Sequence, residues 1–266
     1  MSQPIAGIQA RMGSTRLPGK SLVDLAGKPM LQRVYERVAA AKKMTQVVVL
    51  TSTSAADDEL ARFCKQAKIP CRRGPEQDVM RRYLDLADEF KPDYIVRVTG
   101  DCPLVSPDHI DLQIAALEHF DADFCALPSG HSSSVLEGQG AFSTRALKAA
   151  STSTDPRDRE HVGSFYFSKS AIDFRTVELH VDKLYLRDDL RIAVDEPADM
   201  QLAQAIFEHF APSEGSLVPL AKALEWLDAT PEVRNLNRVV ANSADTQAAH
   251  RGFAEAARQI VGSWPA

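Results

Sequence analysis

The sequence predicts an α/β protein whose mostly parallel sheet is covered by helices on both faces. Two observations carry that reading. Short apolar runs of strand character alternate with segments whose apolar residues recur at helical spacing, and the connections between them are short. The chain is also large enough for a sizeable core, with 266 residues of which 44% are hydrophobic and 25% charged. At about 150 residues per domain, one or two domains are expected.

The elements follow in order. Residues 4–10 are a short apolar run with strand character. Over residues 29–41, Met30, Leu31, Val34, Val38 and Ala41 share one helical face. Residues 46–50 hold three consecutive valines and read as a buried strand. Ser54 reads as the N-cap of a helix reaching about Ala67, with Asp57 and Asp58 in its first turn, where the helix dipole favours anions. A strand over 69–72, a helix over 76–90, a strand over 93–98, a helix over 107–120 and a strand over 122–126 complete the alternation.

The pattern breaks at Pro128, where a polar stretch over 129–134 reads as a lid, a hairpin tip or a plain loop. Residues 138–190 are less regular, with helices over 143–150 and 155–162 and then mixed short strands. Asp195-Glu196-Pro197 opens a helix to Phe210, with proline in its first turn. Further helices are expected over 216–227 and 245–260. The result is a main domain over residues 1–240, carrying an irregular insertion over about 128–190, and a helical tail over 241–266.

Composition excludes several classes. The net charge of −5 gives no general field for nucleic acid or an anionic membrane, so a polyanionic ligand would need local positive charge. Neither is expected as a partner. Cys64, Cys71, Cys102 and Cys125 lack zinc-site spacing, and reduced thiols in a cytoplasmic protein are the simplest expectation. The first residues do not read as a signal peptide, and no run of about 18 apolar residues marks a bilayer span.

In a parallel sheet the ligand lies beyond the carboxyl ends of the strands, which directs attention to the loops after Ile8, Leu50, Cys71 and Val98. The first of these, over residues 9–20, contains Gln9, Ala10, Arg11, Gly13, Ser14, Arg16, Gly19 and Lys20, with no acid before Asp24. Glycines let backbone N–H groups approach an anion and three cations neutralise phosphate oxygens, so a polyphosphate suits it; a solvated basic loop is the plainer account. Neither G-x₄-G-K-[ST] nor G-x-G-x-x-G is present. As a loop side chain, Lys20 is expected to be exposed and to add little to stability.

The second candidate is Thr99-Gly100-Asp101-Cys102-Pro103-Leu104. A carboxylate at a strand end can hold Mg²⁺ together with substrate phosphates, or simply cap its own turn. The third is Asp195, a Mg²⁺ ligand or an N-cap, and the two roles are compatible. Arg73-Gly74 with Glu76 and Asp78 can read a base or form a turn and cap, and Arg159-Glu160-His161 falls in the helix expected over 155–162. Cys102 beside Asp101 has the wrong surroundings for a nucleophilic thiolate.

Together these segments resemble the spore-coat polysaccharide SpsF-like cytidylyltransferases, relatives of the enzymes that make CMP-Kdo and CMP-sialic acids. The likeness runs over residues 8–20, then Gly27-Lys28-Pro29-Met30-Leu31, Thr51-Ser52-Thr53, Arg73-Gly74 with Asp78-Val79, and Arg97 to Leu104. It returns at Arg159-Glu160-His161-Val162, at Leu190-Arg191 and at Val194-Asp195-Glu196-Pro197, covering roughly residues 4–210, with 231–237 as an extension.

The resemblance implies a three-layer αβα, nucleotide-diphospho-sugar transferase-like (Rossmann-like) fold with a small inserted subdomain. It implies a nucleotidyltransferase domain over 1–240, Mg²⁺ as cofactor, CTP as donor and a sugar or sugar-acid acceptor in surface polysaccharide or glycoconjugate precursor synthesis. By carry-over Arg11, Ser14 and Lys20 hold the triphosphate, Asp101 and Asp195 bind Mg²⁺, and Arg73 and Asp78 approach base and ribose. Gln9, Ala10, Gly13 and Gly100 complete the expected nucleotide site, and Arg11, Lys20, Asp101 and Asp195 are the expected catalytic set. Relatives suggest a homodimer through the insertion, where Phe165-Tyr166-Phe167 supplies either a contact or core packing. The chain departs from the family at Glu137-Gly138-Gln139-Gly140-Ala141-Phe142, where relatives carry Gly-Leu-Asp-x-Glu, so the acceptor stays open. Guanylyl or uridylyl transfer to a sugar 1-phosphate, or silent nucleotide binding, are the alternatives.

Overall fold

Alternate residues of the central strands face opposite helical layers, and this sets the architecture. In a computed structural model, residues 2–128, 133–163, 166, 174–238 and 259–265 are described. Strand β2 (Gln46–Ser52) shows the principle. Val47 and Val49 pack toward α1 (Met30–Ala39), α2 (Asp58–Gln66) and α4 (Pro107–Phe120), whereas Val48 and Leu50 pack toward α3 (Val79–Phe90) and α5 (Thr144–Ala150). Its all-apolar valine run is what a strand buried on both faces requires.

Among the described residues the sheet has eight strands. β3 (Cys71–Gly74), β2, β1 (Ile5–Gln9) and β4 (Tyr94–Thr99) lie side by side and parallel. β6 (Gln139–Ser143) then runs antiparallel to β4 and to β5 (Phe124–Ala126). β7 (Arg175–His180) and β8 (Gln259–Pro265) continue parallel to β5. Short α6 (Pro156–His161) packs on α3, and α7 (Pro197–Glu214), α8 (Leu220–Ala229) and α9 (Pro231–Arg234) build a further apolar cluster with Leu104, Leu190, Ile192 and Val194.

Several boundaries differ from the sequence reading, each for a local reason. Ser54 makes no side-chain cap; a 3₁₀ turn over Ala55–Asp57 precedes α2, which starts at Asp58. β3 begins two residues late because the Ile69 N–H still bonds the Cys64 carbonyl at 2.8 Å. α3 starts at Val79 because Asp78 caps it, accepting the Arg81 N–H at 2.8 Å. The helix expected to end at Phe210 continues to Glu214, and the one expected over 216–227 lies at Leu220–Ala229.

Two differences are larger. The antiparallel β6 has no alternating pattern and carries a glycine, Gly140, which strand propensity disfavours. It forms because the sheet closes around it: the Thr99 N–H bonds the Gly138 carbonyl at 2.9 Å, and Gln113 bonds both the carbonyl of Gln139 and the N–H of Ala141. Residues 128–190, expected as an insertion, thus contribute β6 and β7 to the main sheet. The expected helical tail over 241–266 is corrected at its end: Gln259–Pro265 is a strand, with Trp264 packed on His119 and Phe120. The rest of that helix, over 245–258, lies outside the described residues, as do 129–132, Phe165 and Phe167.

Candidate active site

The loop after β1 is shaped by its own backbone and by one buried acid. The Ala10 N–H bonds the Leu50 carbonyl at 3.1 Å, keeping the chain on the sheet for one more residue. The Met12 carbonyl then accepts from the N–H groups of Ser14 (2.9 Å) and Gly19 (3.1 Å), which folds the loop back on itself. Gly19 adopts φ 71, a left-handed conformation that glycine takes without strain. The Met12 N–H donates to Asp57 Oδ1 at 2.7 Å, and Asp57 also accepts from the Ser52 N–H at 3.1 Å and from the Ser52 hydroxyl. Burial pushes the Asp57 carboxyl up, but the donors from Met12, Ser52 and Thr51 outweigh it and hold the group below the usual carboxylate range. Expected only as a first-turn helix residue, Asp57 instead clamps the cationic loop.

The loop after β4 lies directly against this one. The Gly100 N–H bonds the Gln9 carbonyl at 2.9 Å, and a Cβ at Gly100 would stand 3.0 Å from both the Ala10 methyl and that carbonyl. Asp101 follows, and its carbonyl accepts the Val194 N–H at 2.8 Å, which brings the segment before α7 to the same place. α7 is capped by a reciprocal pair, Glu196 and Asp199. Asp195 therefore has no capping duty, contrary to one reading of the sequence, and its carboxylate faces the loop after β1.

Lys20 joins the three segments. Its ammonium donates at 2.8 Å to Asp101 Oδ2, to Asp195 Oδ1 and to the Val194 carbonyl. The side chain is only 12% exposed, which corrects the expectation of an exposed lysine. Burial lowers the Lys20 pKa, but the attraction of Asp101 and Asp195 more than offsets it, leaving the group above the ordinary lysine value. Burial likewise raises Asp101, and Lys20 reverses the direction, so its carboxyl sits below the usual range. Arg16 lies 3.1 Å from Asp195 Oδ1, and Arg191 bonds the other Asp195 oxygen.

Glu137 is a further acid that the lost family pattern concealed. Burial, and the negative charges of Asp101, Asp195 and Asp199, raise its carboxyl to about 7 against the pull of Arg191. Cys102 is pushed well above the ordinary thiol value by burial and by Asp101, so it is not a thiolate nucleophile.

The remaining expected residues are held nearby but not on Lys20. Arg11 pairs with Glu160 at 3.3 Å with half its side chain exposed, and the Ser14 hydroxyl accepts the Leu17 N–H at 3.3 Å. Gly13 has open space around its Cα hydrogens, as a close ligand approach needs. Gln9 accepts from Arg97 Nε at 3.0 Å. Arg73 donates to the Ser52 and Ser54 carbonyls and pairs with Asp58, and Asp78 caps α3 and faces Arg159 at 3.5 Å. Arg16, Asp57, Glu137, Arg191, Asp199 and Asn237 are additions of the structure. Only the position of Arg16 in the cationic loop and of Arg191 in the motif before Asp195 signalled any of them.

Among the described residues no group of three or more His, Cys, Asp or Glu side chains forms a metal cage. Asp101 Oδ2 and Asp195 Oδ1 nevertheless converge on a single cation, the Lys20 ammonium. Two carboxylates aimed at one point suit Mg²⁺ shared with substrate phosphates, which needs no closed cage.

Comparison with known proteins identifies the family and the fold. Residues 5–207 match the model of a cytidylyltransferase family. The spore coat polysaccharide biosynthesis protein SpsF of Bacillus subtilis is 30% identical over 210 residues, 76% of this chain and 85% of that one. A 3-deoxy-manno-octulosonate cytidylyltransferase of Geobacter sulfurreducens is 40% identical over 112 residues, 41% of this chain and 43% of that one. The solved structure of a cytidylyltransferase from Leptospira borgpetersenii superposes with a TM-score of 0.80 at 26% identity, covering 91% of this chain and all of that one, which carries the αβα nucleotide-sugar transferase-like fold over to this chain.

Proposed function

The chain belongs to the cytidylyltransferase family, and from that premise we propose that it transfers CMP from CTP to a sugar or sugar-acid acceptor, with Mg²⁺ and release of pyrophosphate. The observation that carries this reading is the meeting of Lys20, Asp101 and Asp195 at the carboxyl ends of β1 and β4.

In the proposed reaction an acceptor oxygen attacks the α-phosphorus in line, and the bond to the bridging oxygen of the β-phosphate breaks. Asp101 and Asp195 would hold Mg²⁺, which supplies charge neutralisation on the phosphate oxygens. Lys20 exchanges its carboxylates for phosphate oxygens as the triphosphate arrives, and Arg11 and Arg16 add positive charge at the loop mouth. Asp57 keeps the loop backbone in place throughout, so little reorganisation is needed at the moment of reaction. An acceptor hydroxyl must also lose a proton. Both oxygens of Asp195 are engaged by cations, so that carboxylate is poorly placed to take this proton.

The acceptor class rests on the relatives, which are named for polysaccharide biosynthesis and for a sugar acid. No helix among the described residues is long and apolar enough to cross a membrane, and a cytoplasmic homodimer belongs to the same proposal. Incubation with CTP, UTP, GTP or ATP, Mg²⁺ and a panel of sugar acids and sugar phosphates tests it. Pyrophosphate release with CTP is expected. Release with UTP or GTP alone would reassign the base, and none with any nucleotide would contradict the reading.

A further inference from the structure

The segment after α9 reaches back under the acid pair. Asn237 is 4% exposed, and its side-chain amide donates twice, to the Arg191 carbonyl at 2.9 Å and to Asp199 Oδ1 at 2.8 Å. Those residues flank Asp195 on either side. Asp199 is 2% exposed, and its second oxygen accepts the N–H groups of Asp195 and Glu196, each at 2.9 Å. Arg191, 8% exposed, bonds the Asp195 carboxylate and lies 3.5 Å from Asp199. Both amide hydrogens of Asn237 are thus spent on the two sides of the short span whose middle carries Asp195.

We propose that Asn237, with Asp199 and Arg191, is a positioning device that fixes the Asp195 carboxylate opposite Asp101 for the divalent cation of CTP, so that the segment after the catalytic sheet completes the site. This rests on the function proposed above. Side chains that orient a metal ligand typically change metal affinity by about 10–100-fold when removed. An ionised carboxylate in place of the Asn237 amide would have no donor to offer the two acceptors already there. Alanine simply opens the bracket.

The test compares Asn237→Ala with Leu224→Ala. Leu224 is fully buried in the α8 cluster and its apolar side chain makes no hydrogen bond or ion pair to these groups, so its truncation destabilises without removing a bond that holds Asp195. Mn²⁺ binding, followed by the loss of its free electron paramagnetic resonance signal, is titrated with and without CTP. Metal half-saturation and the KM for CTP at saturating metal are measured beside it. The Mn²⁺ dissociation constant and the metal half-saturation of Asn237→Ala should rise roughly tenfold or more. Its KM for CTP stays within about twofold, and Leu224→Ala keeps wild-type metal dependence despite a lower Tm. Unchanged Mn²⁺ binding in Asn237→Ala, or an equal rise in Leu224→Ala, would overturn the proposal. Should Asn237→Ala not fold, Arg191→Lys keeps the charge but loses the planar fork. A comparable rise in its Mn²⁺ dissociation constant is then expected, and unchanged binding overturns the proposal in the same way. If the wild type binds Mn²⁺ but turns over no nucleotide, the proposed function fails while the bracket is still judged by the metal titration.

Discussion

Replacing Lys20 by alanine removes one ammonium and leaves two carboxylates facing each other. Three bonds of 2.8 Å are lost from a side chain 12% exposed. Breaking a buried pair by deleting one partner costs about 3–5 kcal/mol. Asp101 and Asp195 are partly exposed, and Asp195 keeps Arg16 and Arg191, so about 2–3 kcal/mol is the expected loss at pH 7. The pH dependence has a defined sign. Asp101 is depressed in the folded state, so its contribution is present above its reference value of 3.8 and disappears as pH falls through the folded value. Lys20 is raised, so its contribution is complete below its reference value of 10.5 and is lost only at higher pH. Wild type and Lys20→Ala should therefore differ across the neutral range, and the difference should narrow as pH falls below 3.8. Urea unfolding of metal-free protein at pH 7 and pH 3 measures this. Millimolar Mg²⁺ at pH 7 should then raise the Tm of Lys20→Ala more than that of wild type, because the carboxylates are no longer occupied by an ammonium. A loss under about 0.5 kcal/mol, or one equal at both pH values, would refute the reasoning.

Other outcomes follow from the same geometry. Asp57→Ala orphans the Met12 and Ser52 N–H groups; it should cost roughly 2–4 kcal/mol in urea unfolding and raise the KM for CTP more than it lowers kcat. Glu137 is raised from 4.5 to about 7, so its favourable contribution is present below pH 4.5 and is lost as pH climbs through 7. Metal-free wild type should lose up to about 3 kcal/mol between pH 4.5 and 8 that Glu137→Gln retains, as read by urea midpoints at both pH values. Gly138 has φ +72, and an added Cβ would come within 2.2 Å of the Cys102 sulfur, so Gly138→Ala should lower stability by about 2 kcal/mol or more in the same assay.

Much of the first half of the fold was legible because its strands and helices are local statements. The valines of β2 alternate between two helical layers, and α4 starts at Pro107, the expected residue. The strand-end acids were legible for the same reason, since a parallel sheet gathers its loops at one edge. What could not be read is non-local. β6 is specified by Gln113 and β4 rather than by its own sequence. Lys20 looked exposed because nothing in its neighbourhood reveals partners 81 and 175 residues away. Asp57 was legible as a helix-start acid, yet its clamp on Met12 crosses 45 residues. Asn237 reaches Arg191 and Asp199 across 46 and 38 residues, and a short motif before a tail carries no sign of that reach.

The most direct measurement is a crystal structure with a non-hydrolysable CTP analogue and Mg²⁺. The cation should bond both Asp101 and Asp195, the triphosphate should lie along the loop from Arg11 to Lys20, and the Lys20 ammonium should move from the carboxylates to phosphate oxygen. A nucleotide bound elsewhere, or Lys20 still bridging the two acids beside a bound triphosphate, would contradict this arrangement.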